Sequence, residues 1–537
     1  MEVHQSEPPQ ALSMGKSGSP PSTGCEECTT YLGRSEYLGG NIRIDEDLAK
    51  NYEDQRGAAT ATQDLRILEL YKAFDMPPRL LRNSLIDNLM KNCIPWMPIV
   101  DRADFEGEPS PLLLQAAFLA GSRLGSAPLA YASCEELYQR AKALALSGYE
   151  KDTLTVIRAI CLMQWFNPTG PEHISLDKSS FWLRIGVGLA YEIGLHREPS
   201  PGKDASLRRR LWWSLFTRDC VISAGQGRPR TINMQDCCVR PISLDDFPVK
   251  DKNAHLFIAY VQIYAILADL TECCVRKSLS PAKKVGIEAE LKRWVKELPP
   301  CLQMYRQHPL RCPAPYDLEV RQLHIPYLTI LTILNRPTTP ASVPLQVALL
   351  SSSLVAGIFE DFLARDDIRY LGPTFTFHIF VASFPQLLCH KYPVLWQSAE
   401  QELKIMQLAL HELRKTWPSA IGPQKIIQSF IDAVVHEPSS AAYPHPPMTA
   451  DQTAFFEAFG PEFCRKWDLV SKASPPPALD PAMEPMAERS VEMTVESMSP
   501  VPCLPDQGGR MVADSEAFDV DPAGNWLYQD WLELEAP

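Results

Sequence analysis

Few residues in this sequence are of a type that could do chemistry, and their spacing does not suit it. Cys25-Glu26-Glu27-Cys28 has the form of half a metal site, but two thiolates cannot close a tetrahedral zinc site, and the next cysteine is Cys93. His411-Glu412 begins like a zincin helix, yet Leu413, Arg414 and Lys415 follow, so the second imidazole one turn on is missing. Gly225-Gln226-Gly227 could open a phosphate-cradling loop, but Arg230 stands where a third glycine belongs and a helical pattern precedes it. A helix C-cap and turn is expected there. Asp245-Asp246 and Asp366-Asp367 are the paired aspartates, neither with a further carboxylate one turn on, and they read as solvated loop and helix-end acids rather than a carboxylate metal site. No P-loop or nucleophile-elbow pattern occurs. No catalytic residue, metal or cofactor is expected. An all-helical biosynthetic enzyme stays as an alternative, and it would need convergent groups that these patterns do not supply.

The elements that must position any site are helices. The chain has 537 residues, 45% hydrophobic and 22% charged, with a formal net charge of −13 and 48 prolines. That apolar fraction allows a sizeable core, while the acidic balance is a poor match to phosphate backbones unless a separate basic module is present. Residues 1–60 are polar and rich in Ser, Pro and Gly, and are expected to be a disordered N-terminal tail. From 61 to 437 apolar residues recur at helical spacing, cut by Pro, Gly and Asp. An irregular all-α, multi-helix domain is predicted, with 256–270 apolar nearly all round and hence central. Two windows without charge, 338–359 and 370–390, contain prolines and polar residues, so they are expected as buried core and not membrane spans. Residues 438–510 read as a Pro-rich linker with one weakly helical island at 455–467, and 511–537 as a second tail. The scattered cysteines fit reduced, buried thiols.

The most specific stretch is 207–248. Leu207, Leu211, Trp212, Leu215 and Phe216 make one apolar helix face, with Arg208, Arg209 and Arg210 read as a solvated face and Arg218-Asp219 as a pair that fixes the helix. In the last tail, Phe518, Trp526, Leu527, Trp531, Leu532 and Leu534 are set among seven acidic residues with no Lys or Arg. Such a segment can dock as a short helix in the groove of a coactivator. A terminal helix folded back on the body is the plain alternative.

The run Arg209-Arg210-Leu211-Trp212-Trp213-Ser214-Leu215-Phe216, then Arg218-Asp219, Gly225, Gly227-Arg228-Pro229, Ile232, Asp236, Pro241 and Asp245-Asp246-Phe247, resembles the core of the fungal-specific transcription factor domain. Residues 182–196 (WLRIGVGLAYEIGLH), 331–337 (LTILNRP) and 408–420 (LALHELRKTWPSA) resemble its other landmarks in order. Residues 31–38 and 73–105 are similar to the cutinase-transcription-factor type within that family, so the likeness spans about 31–437. The resemblance implies a nuclear regulator of a fungal metabolic pathway, with a secondary-metabolite gene cluster as a natural context. It marks Arg210, Trp212, Trp213, Arg218, Asp219, Gly227, Arg228 and Pro229 as structural or regulatory signature residues. Members usually carry a zinc binuclear cluster ahead of this domain, and only Cys25 and Cys28 precede residue 93 here. Zinc is therefore expected only if such a cluster is missing from this chain, and DNA contact only through it or through a partner, either a DNA-binding zinc-cluster regulator or a second copy. An adaptor that sequesters a DNA-binding regulator without activating is a further alternative.

Overall fold

Proline, glycine and capping residues cut the apolar pattern into segments, and the computed structural model forms helices on those segments. It describes residues 31, 57–124, 131–202, 204–306, 312–336, 345–434, 443 and 448–468. Cys25, Cys28 and residues 511–537 lie outside the described residues, so the expectations placed on them are carried by sequence alone. The α-helices among the described residues are α1 (Gly57–Leu70), α2 (Arg79–Asn92), α3 (Pro111–Arg123), α4 (Cys134–Leu146), α5 (Thr153–Met163), α6 (Ser179–Glu192), α7 (Ala205–Gln226) and α8 (Lys252–Val275). They continue with α9 (Pro281–Glu297), α10 (Leu318–Leu334), α11 (Gln346–Ala364), α12 (Phe375–Leu388), α13 (Pro393–Leu413), α14 (Ile421–Val434) and α15 (Ala450–Thr453). Two dipeptide strands, β1 (Tyr305–Arg306) and β2 (Cys312–Pro313), pair antiparallel. The all-helical expectation is met.

Local chemistry explains the boundaries. Ser133 and Glu136 form a reciprocal capping box at the start of α4. The Asp152 carboxylate accepts the N–H of Leu154 and Thr155 at 3.3 and 3.0 Å, as its N-cap position predicts. Gly227, at φ +64, ends α7 in the left-handed conformation that costs other residues most. Helix α5 stops at Met163, four residues short of Asn167 and the proline after it. The Gln164 carbonyl is taken by the Asn167 amide at 3.3 Å and by the Arg218 guanidinium at 3.1 Å, not by a further helical turn. Trp165 and Phe166 bend inward and are buried.

Helices α2 to α7 pack as one group, with α3 against α2, α4 and α5, and α10 to α14 as another, with α11 against α10, α12 and α13. Helix α8 joins them, packed on α7 from one side and α10 from the other. Its apolar circumference needs that double cover. Helices α8 and α11 are long and apolar enough to cross a membrane by composition, but 61% and 78% of their apolar windows are buried inside this body. Burying a large aliphatic or aromatic side chain stabilises by roughly 1.5–3 kcal/mol, and Trp182, Trp212, Trp417, Tyr264, Tyr327 and Phe359 are among those fully covered.

The body continues past residue 437. Residues 448–468, placed by their prolines in the linker, pack on it through Phe455, Phe456, Phe459 and Cys464. Phe459 stacks on Tyr327 at 5.8 Å, and the Tyr327 hydroxyl donates to the Phe455 carbonyl at 2.9 Å. Gly357 on α11 lets the chain approach closely, since a Cβ there would collide with the Phe463 carbonyl. The Lys466 ammonium meets Glu402 of α13 at 2.6 Å, and both side chains are fully buried. Ser353 donates to the other Glu402 oxygen. Aromatic density in this segment outweighs its punctuation.

A buried relay crosses the second helix group. Tyr264 of α8 and Thr329 of α10 lie 3.0 and 2.9 Å from the two ring nitrogens of His378 on α12. Thr329 donates its own proton to the Ile325 carbonyl at 2.9 Å, which assigns the Nδ1–H of His378 as donor to Thr329 and Nε2 as acceptor from Tyr264. Burial pulls the His378 pKa down to about 3, and that of His324, also buried on α10, to about 4.

Removing one partner of the buried pair, as in Lys466→Ala or Glu402→Ala, is expected to destabilise the protein by about 3–5 kcal/mol in urea unfolding. A loss below about 1 kcal/mol, the level of a surface ion pair, would mean that the segment does not seat there. For His378, the unfolded chain binds a proton near pH 6.5 that the native state refuses until about pH 3. The unfolded state thus binds more protons across that window, so stability falls as pH falls through it. In His378→Gln the slope of unfolding free energy against pH, measured between about pH 6 and 4, should drop by roughly 1.4 kcal/mol per pH unit. An unchanged slope would contradict the neutral, buried imidazole.

Candidate functional site

The signature residues sit on α7 and the loop behind it, and those on the helix face inward. The middle of α7 is covered on every side: Arg210, Leu211, Trp212, Trp213, Ser214, Leu215, Phe216, Thr217, Arg218, Asp219 and Cys220 are all buried. A polar group inside a helix bundle must find a partner. Ser214 and Thr217 return their hydroxyls to the carbonyls one turn back, at 2.8 and 2.7 Å.

The arginine triplet does not form the solvated face expected of it. Arg208 donates to the Ile193 carbonyl, beyond α6, at 2.6 Å. Arg209 reaches Glu198 at 2.7 Å and Asp246 at 3.0 Å. Arg210 donates to the Asp246 carbonyl at 3.0 Å, with the Asp101 carboxylate 3.8 Å away. Asp246 is likewise no solvated loop acid, for it is 0% exposed. Its carboxylate also receives Arg240 at 2.7 and 2.9 Å and the Ser243 N–H at 3.0 Å. Glu198 takes Arg209 and the Arg240 backbone N–H, which hold its carboxyl below the ordinary range against the opposing desolvation. Helix α7 and the 237–251 loop are thus clipped by one buried carboxylate. Asp245, by contrast, is exposed and pairs with Lys250 at 2.5 Å.

Arg218 and Asp219 do not pair with each other, since adjacent helical side chains diverge. The Asp219 carboxylate accepts the N–H of Thr231 at 3.0 and 2.9 Å and of Ile232 at 2.8 Å, which ties the loop after Gly227 back onto the helix. Burial nevertheless pushes its pKa up. The loop is held further by Ser223 donating to the Arg228 carbonyl at 2.5 Å and by Arg228 donating to the Pro171 carbonyl at 3.3 Å. Pro229 is exposed. The Trp213 indole donates to the Arg240 carbonyl at 3.0 Å. Trp212 packs among Tyr191 and His196.

Arg218 points elsewhere. Its Nε donates to the Gln164 side chain at 3.2 Å and one Nη to the Gln164 carbonyl, and its guanidinium lies 5.8 Å from the centre of the Trp165 ring. Burial pushes its pKa below the usual guanidinium value. It borders a partly open pocket between the two helix groups. Trp96, Trp165, Tyr260, Tyr264, Tyr370 and Phe375 form most of the wall. Sequence reasoning missed this pocket, as well as Glu198, Arg240 and Gln164. Gln164 lies 54 residues before Arg218, and the aromatic residues read as ordinary core stripes. Among the described residues, no group of His, Cys, Asp and Glu is placed to hold a metal ion.

Comparison with known proteins agrees with the signature. Residues 86–254 match the model of the fungal specific transcription factor domain. Cutinase transcription factor 1 alpha of Fusarium vanettenii is 26% identical over 464 residues, covering 75% of this chain and 49% of that protein. The acetamidase regulatory protein of Aspergillus fumigatus is 25% identical over 383 residues, 65% of this chain and 48% of its own. Cutinase transcription factor 1 beta, again of Fusarium vanettenii, is 25% identical over 362 residues, 54% and 41% of the respective chains. The chain spans about half the length of these relatives. No solved structure matches. Residues 86–254 therefore resemble the fungal specific transcription factor domain, and the chain as a whole is similar to the two cutinase transcription factors.

Proposed function

We propose that this protein is a nuclear transcriptional regulator of a fungal metabolic pathway, with a secondary-metabolite biosynthetic gene cluster as its setting. The observation that carries the reading is the domain match over 86–254, together with similarity to proteins named as regulators of cutinase and acetamidase. The inward use of the signature supports a division of labour. Arg208, Arg209 and Arg210 are bound to Ile193, Glu198 and Asp246, so they offer no phosphate patch. Contact with DNA is accordingly assigned to a partner, a zinc-cluster regulator or a second copy, or to a zinc module on a segment beyond this sequence. The helical body serves as the regulatory scaffold. The acidic-aromatic segment 511–537 serves as the contact for coactivators, with Phe518, Trp526, Leu527, Trp531, Leu532 and Leu534 as anchors.

Chromatin occupancy of the tagged full-length protein tests the first part: enrichment at a restricted set of promoters is expected, and none under any growth condition rejects it. For the tail, residues 511–537 fused to a heterologous DNA-binding module should raise reporter output. Replacing Trp526 and Trp531 by Ala should return it toward the level of the module alone. Unchanged output in the double variant would remove the tail from the activation mechanism.

A further inference from the structure

The pocket between the two helix groups contains a charge that no described residue neutralises. Arg218 is 8% exposed, and among the described residues no carboxylate lies within ion-pair distance of it. Both hydrogen bonds it makes go to Gln164, from Nε and one Nη. The other Nη has no hydrogen-bond partner among the described residues, and Arg218 lines the pocket. The titratable groups that face the guanidinium are Tyr260, Cys161, Tyr264 and Cys93, and burial raises the pKa of each. The Tyr260 hydroxyl and the Cys161 thiol go up to about 12, with Tyr264 and Cys93 also raised. All four are neutral at physiological pH and supply no counter-charge.

A buried guanidinium without an anion is strongly unfavourable, and proteins that retain one commonly use it to recognise carboxylate or phosphate. Two more polar groups on the pocket wall have no hydrogen bond among the described residues. Gln322 of α10 is 6% exposed and lines the pocket, and its side-chain amide makes no hydrogen bond among the described residues. The Tyr260 hydroxyl likewise has no hydrogen bond there. The remaining wall is flat and apolar: Trp96 meets Tyr260 edge-on at 5.0 Å, and Trp165, Tyr370 and Phe375 complete it. Polar groups set among aromatic side chains in the wall of one pocket are the makings of a small-molecule site.

We infer that this pocket is an effector site for a small aromatic carboxylate, its anion held by Arg218 with Gln322 and Tyr260, and its ring stacked in the cleft of Trp96, Trp165 and Phe375. A cation is disfavoured by the guanidinium, and a neutral ring would leave it unpaired. The site lies where α7 of one helix group and the joining helix α8 meet α10 and the start of α12 of the other group. An occupant would therefore bridge the two groups through the family's own signature helix. Binding does not depend on the regulatory reading, so failure here leaves promoter occupancy untouched.

Titration calorimetry on the full-length protein with benzoate, cinnamate and indole-3-acetate, against benzamide and cinnamamide, tests the assignment without any variant. Saturable one-to-one binding of at least one acid, with its amide at least about tenfold weaker, is expected from loss of a charge-assisted contact. Arg218→Met should abolish the difference between acid and amide. Should that variant not fold, Gly372→Leu serves instead. Gly372 lines the pocket with an ordinary φ, and a Cβ there makes only van der Waals contact with Trp165 at 3.5 Å, so a longer side chain fills the cleft while Arg218 stays. It should eliminate binding with thermal stability retained. Equal affinity for acids and amides, binding that persists in a folded Gly372→Leu, or no saturable heat with any acid at millimolar concentration would each overturn the proposal.

Discussion

The fold depends on a constraint set by α7: a helix through the middle of the body has charged side chains at positions that water cannot reach. Apart from Arg218, they are satisfied by protein, because an unpaired buried charge costs several kcal/mol. Asp246 answers for Arg209, Arg210 and Arg240, through its carboxylate and its carbonyl. Asp219 answers for the orphan N–H groups of the loop after Gly227. These contacts fix α7 relative to the loops on both sides of it and, through α8, fix the first helix group relative to the second. A signature that reads as basic is in effect an internal clip.

That arrangement also separates what could be read in the sequence from what could not. Boundaries set by local chemistry are legible: the Gly227 stop and the all-round apolar α8 appear where spacing and punctuation put them. Partners set by tertiary contact were not. Arginines on a helix are read as solvated because most are, and nothing within a turn of Arg209 announces that Asp246, 37 residues on, is its acceptor. Adjacent Arg218 and Asp219 suggest a pair by type, yet their directions on the helix send one to Gln164 and the other to Thr231 and Ile232. The segment around 455–467 was misjudged for a related reason. The prolines on either side of it speak of a linker, while its Phe residues and Lys466 find cover in the body, with Phe459 on Tyr327 of α10 and Lys466 on Glu402 of α13.

Placing the signature inside the body changes how it connects to function. Arg218 is the member of the set whose charge stays open, at the seam where the two helix groups meet, whereas the others are closed on neighbouring backbone and carboxylates. Rigid clips around one open charge give a scaffold in which a ligand can act on helix packing without disturbing the clips themselves. The relay from Tyr264 to His378 and Thr329 ties one wall of that pocket to α10 and α12, so the wall is stiff before anything binds.

The central claim is that the signature arginines act on the protein's own buried carboxylate. A double-mutant cycle between Arg209 and Asp246, each replaced by Ala and read by urea unfolding of the full-length chain, tests it most directly. The account predicts a coupling of at least about 1.5 kcal/mol, since the pair is in contact and desolvated. Effects that add to within about 0.5 kcal/mol would show two independent sites and contradict it.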